Sequence, residues 1–158
     1  MAERGNETHE LVITRVLDAP PERVFALWAS PEHLVRWWGP RDDAGRDFTT
    51  PSCEIDFRPG GQYRICIRSP RGRDLWQRGT YEEIVPPERL VFTFAWDNPG
   101  EPSPLTRIEV RFDAEGAQRT RMTFRQSGLP TAAERDSHRA GWQQFVERLA
   151  ACVSEAAP

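Results

Sequence analysis

Three histidines are the residues best suited to acid–base or metal chemistry near neutral pH: His9, His33 and His138. They are widely separated, and neither H-x-x-x-H nor H-E-x-x-H occurs, so we expect no metal site. His138 precedes Trp142 by four residues, which places both on one face of a helix. His138 is therefore either a structural residue or a hydrogen-bonding partner for a bound molecule.

The cysteines and basic residues argue against several other chemistries. Cys53, Cys66 and Cys152 form no C-x-x-C pair, which disfavours a zinc site or a disulfide framework and indicates buried free thiols. All 21 basic residues are arginine. A Schiff-base lysine and a P-loop are therefore excluded.

The carboxylates form no evident catalytic pair. Glu82 and Glu83 are neighbours on a predicted strand, so we expect them to point to opposite faces of the sheet. Glu54 and Asp56 share a strand face that we expect to meet solvent. No G-x-S-x-G nucleophile motif occurs. The sequence therefore predicts no catalytic residue and no cofactor, and it favours a non-enzymatic function.

Aromatic side chains are the strongest positive signal. The chain has six tryptophans and eight phenylalanines, and such large rings can line a cavity as well as fill a core. We predict a ligand-binding site, with Trp38 near its mouth, formed by His138 and the aromatic residues that converge on it from the strands and the last helix: Trp38, Trp76, Phe94, Trp96, Phe112, Phe124, Trp142 and Phe145. The alternative is that these rings only pack the core.

The order of predicted elements defines the scaffold for these residues. Leu11–Leu17 is rich in β-branched residues and predicts a strand. Prolines at 20–21 and 31 open two short helices. Alternating apolar residues separated by turn signals then predict six antiparallel strands up to about residue 124. Thr131-Ala132-Ala133-Glu134 matches a capping box that begins the longest helix.

This order predicts a space between the last helix and the sheet. The helix carries one apolar face, repeated at three- and four-residue steps: Trp142, Phe145, Val146, Leu149 and Val153. A sheet of about seven strands curves, and the helix must cover its concave face. One helix cannot fill a wide concave sheet, and such partly apolar spaces are where small ligands bind.

Length and charge restrict the class of protein. A chain of 158 residues predicts a single domain, which we place at residues 10–153 between tails at 1–9 and 154–158. The net charge of -3 disfavours a nucleic-acid partner. The sequence shows no secretory signal or membrane span, so we expect a cytoplasmic protein. A monomer and a homodimer remain equally compatible with the sequence.

Six segments carry a family resemblance, in this order: Ala19-Pro20 with Val24-Phe25 and Trp28, then Trp37–Pro40, Asp56–Gly61, Gly79–Ile84, Pro86–Thr93 and His138–Trp142. Together they resemble the AHSA-type homologues of the activator of heat-shock-protein ATPase, within the START-like or SRPBCC superfamily. The resemblance implies an α+β helix-grip fold. In that fold a curved antiparallel sheet of about seven strands wraps round a long C-terminal helix, and two short helices follow the first strand.

The resemblance does not settle the activity, because this superfamily includes lipid carriers, hormone receptors, polyketide cyclases and co-chaperones. Our main interpretation is non-enzymatic binding of a small hydrophobic or aromatic ligand between the sheet and the last helix. One alternative is a co-chaperone-like module, active in stress response, that binds a chaperone or another protein. The other is a cofactor-independent cyclase or hydrolase.

The first predicted hairpin gives a chemical test. A tight turn at Pro59-Gly60-Gly61 pairs Ile55 with Ile65 and puts Cys53 and Cys66 on opposite sheet faces, beyond disulfide reach. Thiol titration of the unfolded, unreduced protein should find all three cysteines free. A result of one free thiol per chain would reveal a disulfide and contradict this placement.

Overall fold

The computed structural model describes residues 8–155. Its elements follow the predicted order: β1 (His9–Leu17), α1 (Pro21–Ala26), α2 (Pro31–Leu34), β2 (Thr49–Ile55), β3 (Gln62–Arg68), β4 (Asp74–Val85), β5 (Arg89–Trp96), β6 (Thr106–Ala114), β7 (Thr120–Leu129) and α3 (Ala132–Glu155). Most of the two predicted tails lies outside the described residues. β1 already includes His9, and α3 continues two residues past the predicted boundary at 153.

The seven described strands form one curved antiparallel sheet in the order β1-β7-β6-β5-β4-β3-β2. Helix α3 packs on its concave side against β1 and β7, while α1 contacts β6 and α2 contacts β2. The predicted α+β helix-grip fold is confirmed. The concave side of the sheet and the inner face of α3 therefore face each other.

Alternation along the strands decides which side chains reach the interior. On β6, Ile108, Val110 and Phe112 are at most 3% exposed, whereas the residues between them lie toward the outer face. Met122 and Phe124 follow the same two-residue period on β7. The alternating apolar residues of both strands therefore face the core.

The β2–β3 hairpin has a different register from the predicted one. Ile55 lies opposite Tyr63 and not opposite Ile65. The connection is longer than a tight turn, because the Asp56 N–H donates to the Gln62 carbonyl at 3.0 Å and closes a wider loop. The register is displaced by two residues, which leaves each side chain on its predicted face.

The cysteines remain on opposite faces as a result. Cys53 lies opposite Ile65 and packs against the core, while Cys66 lies opposite Ser52 on the outer face. All three cysteines are free thiols. Burial raises the pKa of Cys53 to about 11 and also raises the pKa of Cys66, so both stay protonated and unreactive at neutral pH.

The outer face of the sheet is covered by arginine–carboxylate pairs, and here one expectation is wrong. Glu82 and Glu83 both approach Arg107, at 2.9 and 3.9 Å, and so share the outer side. The irregular pairing between Tyr81 and Glu83 interrupts the two-residue alternation. Such exposed pairs contribute only about 0–1 kcal/mol each.

Helix α3 begins and packs as its sequence predicts. The Thr131 Oγ1 accepts a hydrogen bond from the Glu134 N–H at 3.0 Å, which is the predicted N-terminal cap. Its apolar face is at most 5% exposed: Trp142, Phe145, Val146, Leu149 and Val153. At the exposed edge Glu147 pairs with Arg15 of β1. The helix is thus part of the core.

Two absences concern the described residues. Among residues 8–155, no helix is both long and apolar enough to cross a membrane. The same residues contain no cluster of three or more histidine, cysteine or acidic side chains that could hold a metal ion.

The packing of α3 predicts a large effect at its centre. Leu149 is 0% exposed, so Leu149→Ala should lower the free energy of unfolding by about 2–5 kcal/mol in urea denaturation. Gln143→Ala, on the exposed side of the same helix, is the control and should change it by less than about 0.5 kcal/mol. Equal effects from the two substitutions would contradict the packing of α3 on the sheet.

Candidate ligand-binding cavity

A partly open space of about 180 Å³ lies between α3 and the sheet; we call it the inner cavity. The sheet lines it with Ile67, Leu75, Gln77, Phe94 and Trp96. Helix α3 lines it with Ser137, His138, Gly141, Trp142 and Phe145, which recur at three- and four-residue steps. Pro40 and Phe48 complete it from the loop after α2.

A second space of about 340 Å³ adjoins the first and opens toward solvent; we call it the outer cleft. The two share five lining residues: Leu75, Phe94, Trp96, Ser137 and His138. The outer cleft adds charged groups, namely Arg73, Glu101 and Glu134. Trp96 and His138 therefore stand at the junction between an apolar interior and a polar mouth.

The inner cavity has a rigid aromatic wall centred on Trp142. Its ring centroid lies 4.5 Å from that of Phe145, 4.8 Å from that of Phe124 and 5.3 Å from that of Phe94. The ring planes are tilted by 45–72° to one another, as aromatic pairs prefer. The cavity is thus bounded by well-packed side chains.

One buried amide organises the polar groups of the site. The Gln126 side chain is 0% exposed, and its Oε1 accepts hydrogen bonds from Trp142 Nε1 at 2.7 Å and His138 Nδ1 at 3.1 Å. Its Nε2 donates to Thr106 Oγ1 at 2.9 Å. The Thr106 hydroxyl in turn donates to the Phe94 carbonyl at 2.8 Å. The buried polar atoms of Gln126 and Thr106 thus have partners, as burial requires.

This network also assigns the protons on His138. A tryptophan Nε1–H only donates, so the Gln126 atom that it contacts must be the oxygen. His138 Nδ1 contacts the same oxygen and must therefore carry a hydrogen. Burial lowers the pKa of His138, although the negative charge of Glu134 opposes this effect. The neutral imidazole, with a free lone pair on Nε2, is therefore the form favoured near pH 7.

Five of the predicted site residues line the inner cavity: Phe94, Trp96, His138, Trp142 and Phe145. Two others form part of the surrounding core. Phe124 stands behind Trp142, and Phe112 packs against Phe25 and Trp28, with centroids at 5.4 and 6.2 Å, away from the cavity.

Trp38 and Trp76 lie elsewhere than expected. Trp38 is 2% exposed and packs against Trp142 and Phe145, so it stands behind the inner wall and not at the mouth. Trp76 lies on the outer face of the sheet, where the Arg64 guanidinium stacks over its ring at 3.8 Å. The interior position next to it is taken by Gln77, whose Oε1 accepts a hydrogen bond from Trp38 Nε1 at 2.7 Å.

Sequence reasoning missed the residues that give the site its polarity and its space. Gln77 and Gln126 are uncharged polar residues at inward-facing strand positions, each at most 1% exposed. The sequence could have revealed them as polar residues that occupy the same alternating strand positions as buried apolar residues. Gly141 is a glycine inside a helix. That placement is unfavourable for the helix, and it was the available signal for this position.

Helix α3 also holds the loop that covers the inner cavity. Arg148 is 8% exposed, and its Nη1 donates to the carbonyls of Gly39 and Phe48 at 3.0 and 3.1 Å. Gln144 Oε1 accepts from the Arg41 N–H at 3.0 Å. Gly39 has φ of 132°, and a Cβ there would come within 2.9 Å of Arg148, so this close contact needs glycine.

A curved antiparallel sheet that holds a long C-terminal helix above a partly open interior defines the START-like class of helix-grip proteins. Residues 18–154 match the family described as "Activator of Hsp90 ATPase homolog 1-like protein" (AHSA1). Because the match covers most of the chain, this protein belongs to the AHSA1 family.

Solved structures share this fold. A protein of Chromobacterium violaceum is 30% identical, with a TM-score of 0.77, over 91% of this chain and 96% of that one. The AHSA1 protein of Silicibacter pomeroyi is 20% identical, with a TM-score of 0.81, over 94% and 100%. A Rhizobium leguminosarum protein is 26% identical, with a TM-score of 0.76, over 94% and 96%. No curated protein matches the sequence.

The glycine in α3 generates a stability prediction. A Cβ at Gly141 would meet no atom within 4 Å, and alanine favours a helix by about 1 kcal/mol over glycine. Gly141→Ala should therefore raise the free energy of unfolding by about 0.5–1 kcal/mol in urea denaturation. The control Ala140→Gly, at the exposed neighbouring position, should lower it by a similar amount. A destabilised Gly141→Ala protein would show that the space is filled.

Proposed function

We propose that the protein binds a small hydrophobic or aromatic molecule non-covalently in the inner cavity, without catalysing a reaction on it. The observation that carries this proposal is Gly141. Glycine inside a helix costs about 1 kcal/mol relative to alanine, yet no neighbouring atom approaches where its side chain would be. Gly141 lines the inner cavity, so the absence of a side chain there keeps this part of the cavity wall open to a bound molecule.

The dimensions of the two spaces support a ligand of one or two rings. An engineered cavity of about 150 Å³ in another protein admits benzene, and the inner cavity has about 180 Å³. The outer cleft of about 340 Å³ falls within the range of roughly 300–1,000 Å³ typical of small-molecule sites. One ring in the inner cavity, with a substituent or second ring in the outer cleft, fits both volumes.

Burial supplies the affinity in this proposal. An aromatic ring that buries about 150 Å² gains roughly 4 kcal/mol at about 25 cal/mol per Å². Among the described residues that line the inner cavity, His138 alone is titratable. The described lining of the inner cavity therefore offers no pair of titratable groups, and its contacts support binding better than catalysis.

The family description names activation of the Hsp90 ATPase, which makes a protein-interaction function the alternative. Such a module would use its outer surface, and its activity would not depend on open space at Gly141. Filling the cavity therefore separates the two functions.

The test is binding of naphthalene, followed by intrinsic tryptophan emission and by calorimetry. Trp96 and Trp142 line the inner cavity, so the parent protein should show saturable quenching with one site per chain. Gly141→Leu should weaken binding at least tenfold, because its side chain occupies the same space. Thermal unfolding of each variant checks that the fold is retained.

Ala140→Leu is the matched control, since it adds the same side chain at the exposed adjacent position. It should bind naphthalene as the parent does, within about twofold. Absence of saturable binding to the parent, or equal binding by Gly141→Leu and the parent, would overturn the proposal and favour the protein-interaction alternative.

A further inference from the structure

We propose that His138 Nε2 is the polar anchor of the cavity and selects a neutral aromatic ligand that carries a hydrogen-bond donor, such as a phenolic hydroxyl or a ring N–H. This inference rests on the proposed function and specifies the ligand class. It depends on the direction of the hydrogen bonds around the Gln126 side chain.

The network beneath His138 fixes the orientation of the Gln126 amide from both ends. Trp142 Nε1 can only donate, so it requires the amide oxygen, at 2.7 Å. At the other end, the Thr106 hydroxyl donates to the Phe94 carbonyl, so its oxygen is left to accept from the amide NH₂, at 2.9 Å. A flipped amide would set its NH₂ against the Trp142 Nε1–H, and two donors cannot form a hydrogen bond.

His138 Nδ1 is therefore a donor to Gln126 Oε1, and in the neutral ring Nε2 is an acceptor. No residue in the range 8–155 makes a hydrogen bond to Nε2. The imidazole lines both the inner cavity and the outer cleft, with centroids 6.1 Å from Phe94 and 6.3 Å from Trp96. An aromatic ligand between these walls could therefore donate a hydrogen bond to His138 Nε2 without displacing a protein donor.

The charges around His138 disfavour an anionic ligand. On its own helix it faces Glu134, and across the outer cleft it faces Arg73 and Glu101, which pair with each other at 3.9 Å. The strands packed against it contribute uncharged groups there: Leu75, Phe94, Trp96, Thr106, Gln126 and Leu129. A carboxylate would need a protonated Nε2, which burial opposes, and would lie near Glu134.

The experiment compares four probes of similar ring size at pH 7.5: naphthalene, 2-naphthol, 2-methoxynaphthalene and 2-naphthoate. On the parent protein, 2-naphthol should bind about tenfold more tightly than 2-methoxynaphthalene, which has the same oxygen without a hydrogen. 2-Naphthoate should bind most weakly. Calorimetry gives each dissociation constant.

His138→Phe keeps an aromatic ring and removes the acceptor. It should abolish the preference for 2-naphthol over 2-methoxynaphthalene, so that the two dissociation constants become about equal. A purely structural histidine would instead change the affinity for all four probes in parallel. A preference that persists in the variant would overturn the assignment of His138.

The parent protein provides a second measurement that needs no substitution. Lowering the pH through the pKa of His138 adds a hydrogen to Nε2, so 2-naphthol affinity should fall while naphthalene affinity stays constant. The pKa of His138 is measured by NMR in the same protein, and a 2-naphthol affinity that stays constant as the pH is lowered through that pKa overturns the inference. If naphthalene binds but the parent does not distinguish 2-naphthol from 2-methoxynaphthalene, only this inference fails. If naphthalene itself does not bind, the proposed function fails with it.

Discussion

The side-chain amide of Gln126 joins helix α3 to the sheet, and the geometry of the interior depends on it. Its oxygen accepts hydrogen bonds from Trp142 and His138 of α3, and its nitrogen donates to Thr106 on β6. An amide buried without partners costs at least about 1–3 kcal/mol. Displacing α3 along the sheet would break these bonds together, so the network holds the helix in one position above β7.

That position places Gly141 beside open space and the aromatic wall around Trp142 next to it. The space is not a sign of loose packing, because the surrounding rings make close tilted and edge-on contacts. Arg148 holds the covering loop to the same helix through the carbonyls of Gly39 and Phe48. Helix α3 therefore contributes Trp142 and Phe145 to the cavity wall, borders the open space at Gly141 and holds the covering loop in place.

Strand β4 shows where a local reading of the chain succeeds and where it fails. Alternation correctly predicts that Trp76 and Gln77 point to opposite faces. Hydrophobicity then predicts that Trp76 faces the interior, yet in the structure Gln77 faces the interior and Trp76 lies on the outer face. Gln77 is buried because Trp38 Nε1 supplies a donor for its amide oxygen, and Trp76 is accommodated outside because Arg64 covers its ring. Neither partner is a neighbour in the chain.

Periodicity, caps and turn residues were enough to predict the order of elements, the buried face of α3 and the sides of most strand residues, because these depend on neighbours a few positions away. Five of the nine predicted site residues line the inner cavity, because local periodicity placed them on inward-facing positions of strands and of α3. The β2–β3 register depends on how the loop between the strands closes. The shared face of Glu82 and Glu83 depends on a local irregularity in strand pairing, and the hydrogen on His138 Nδ1 depends on the contact with Gln126. Such contacts form only when the chain is folded, so tertiary structure decided them.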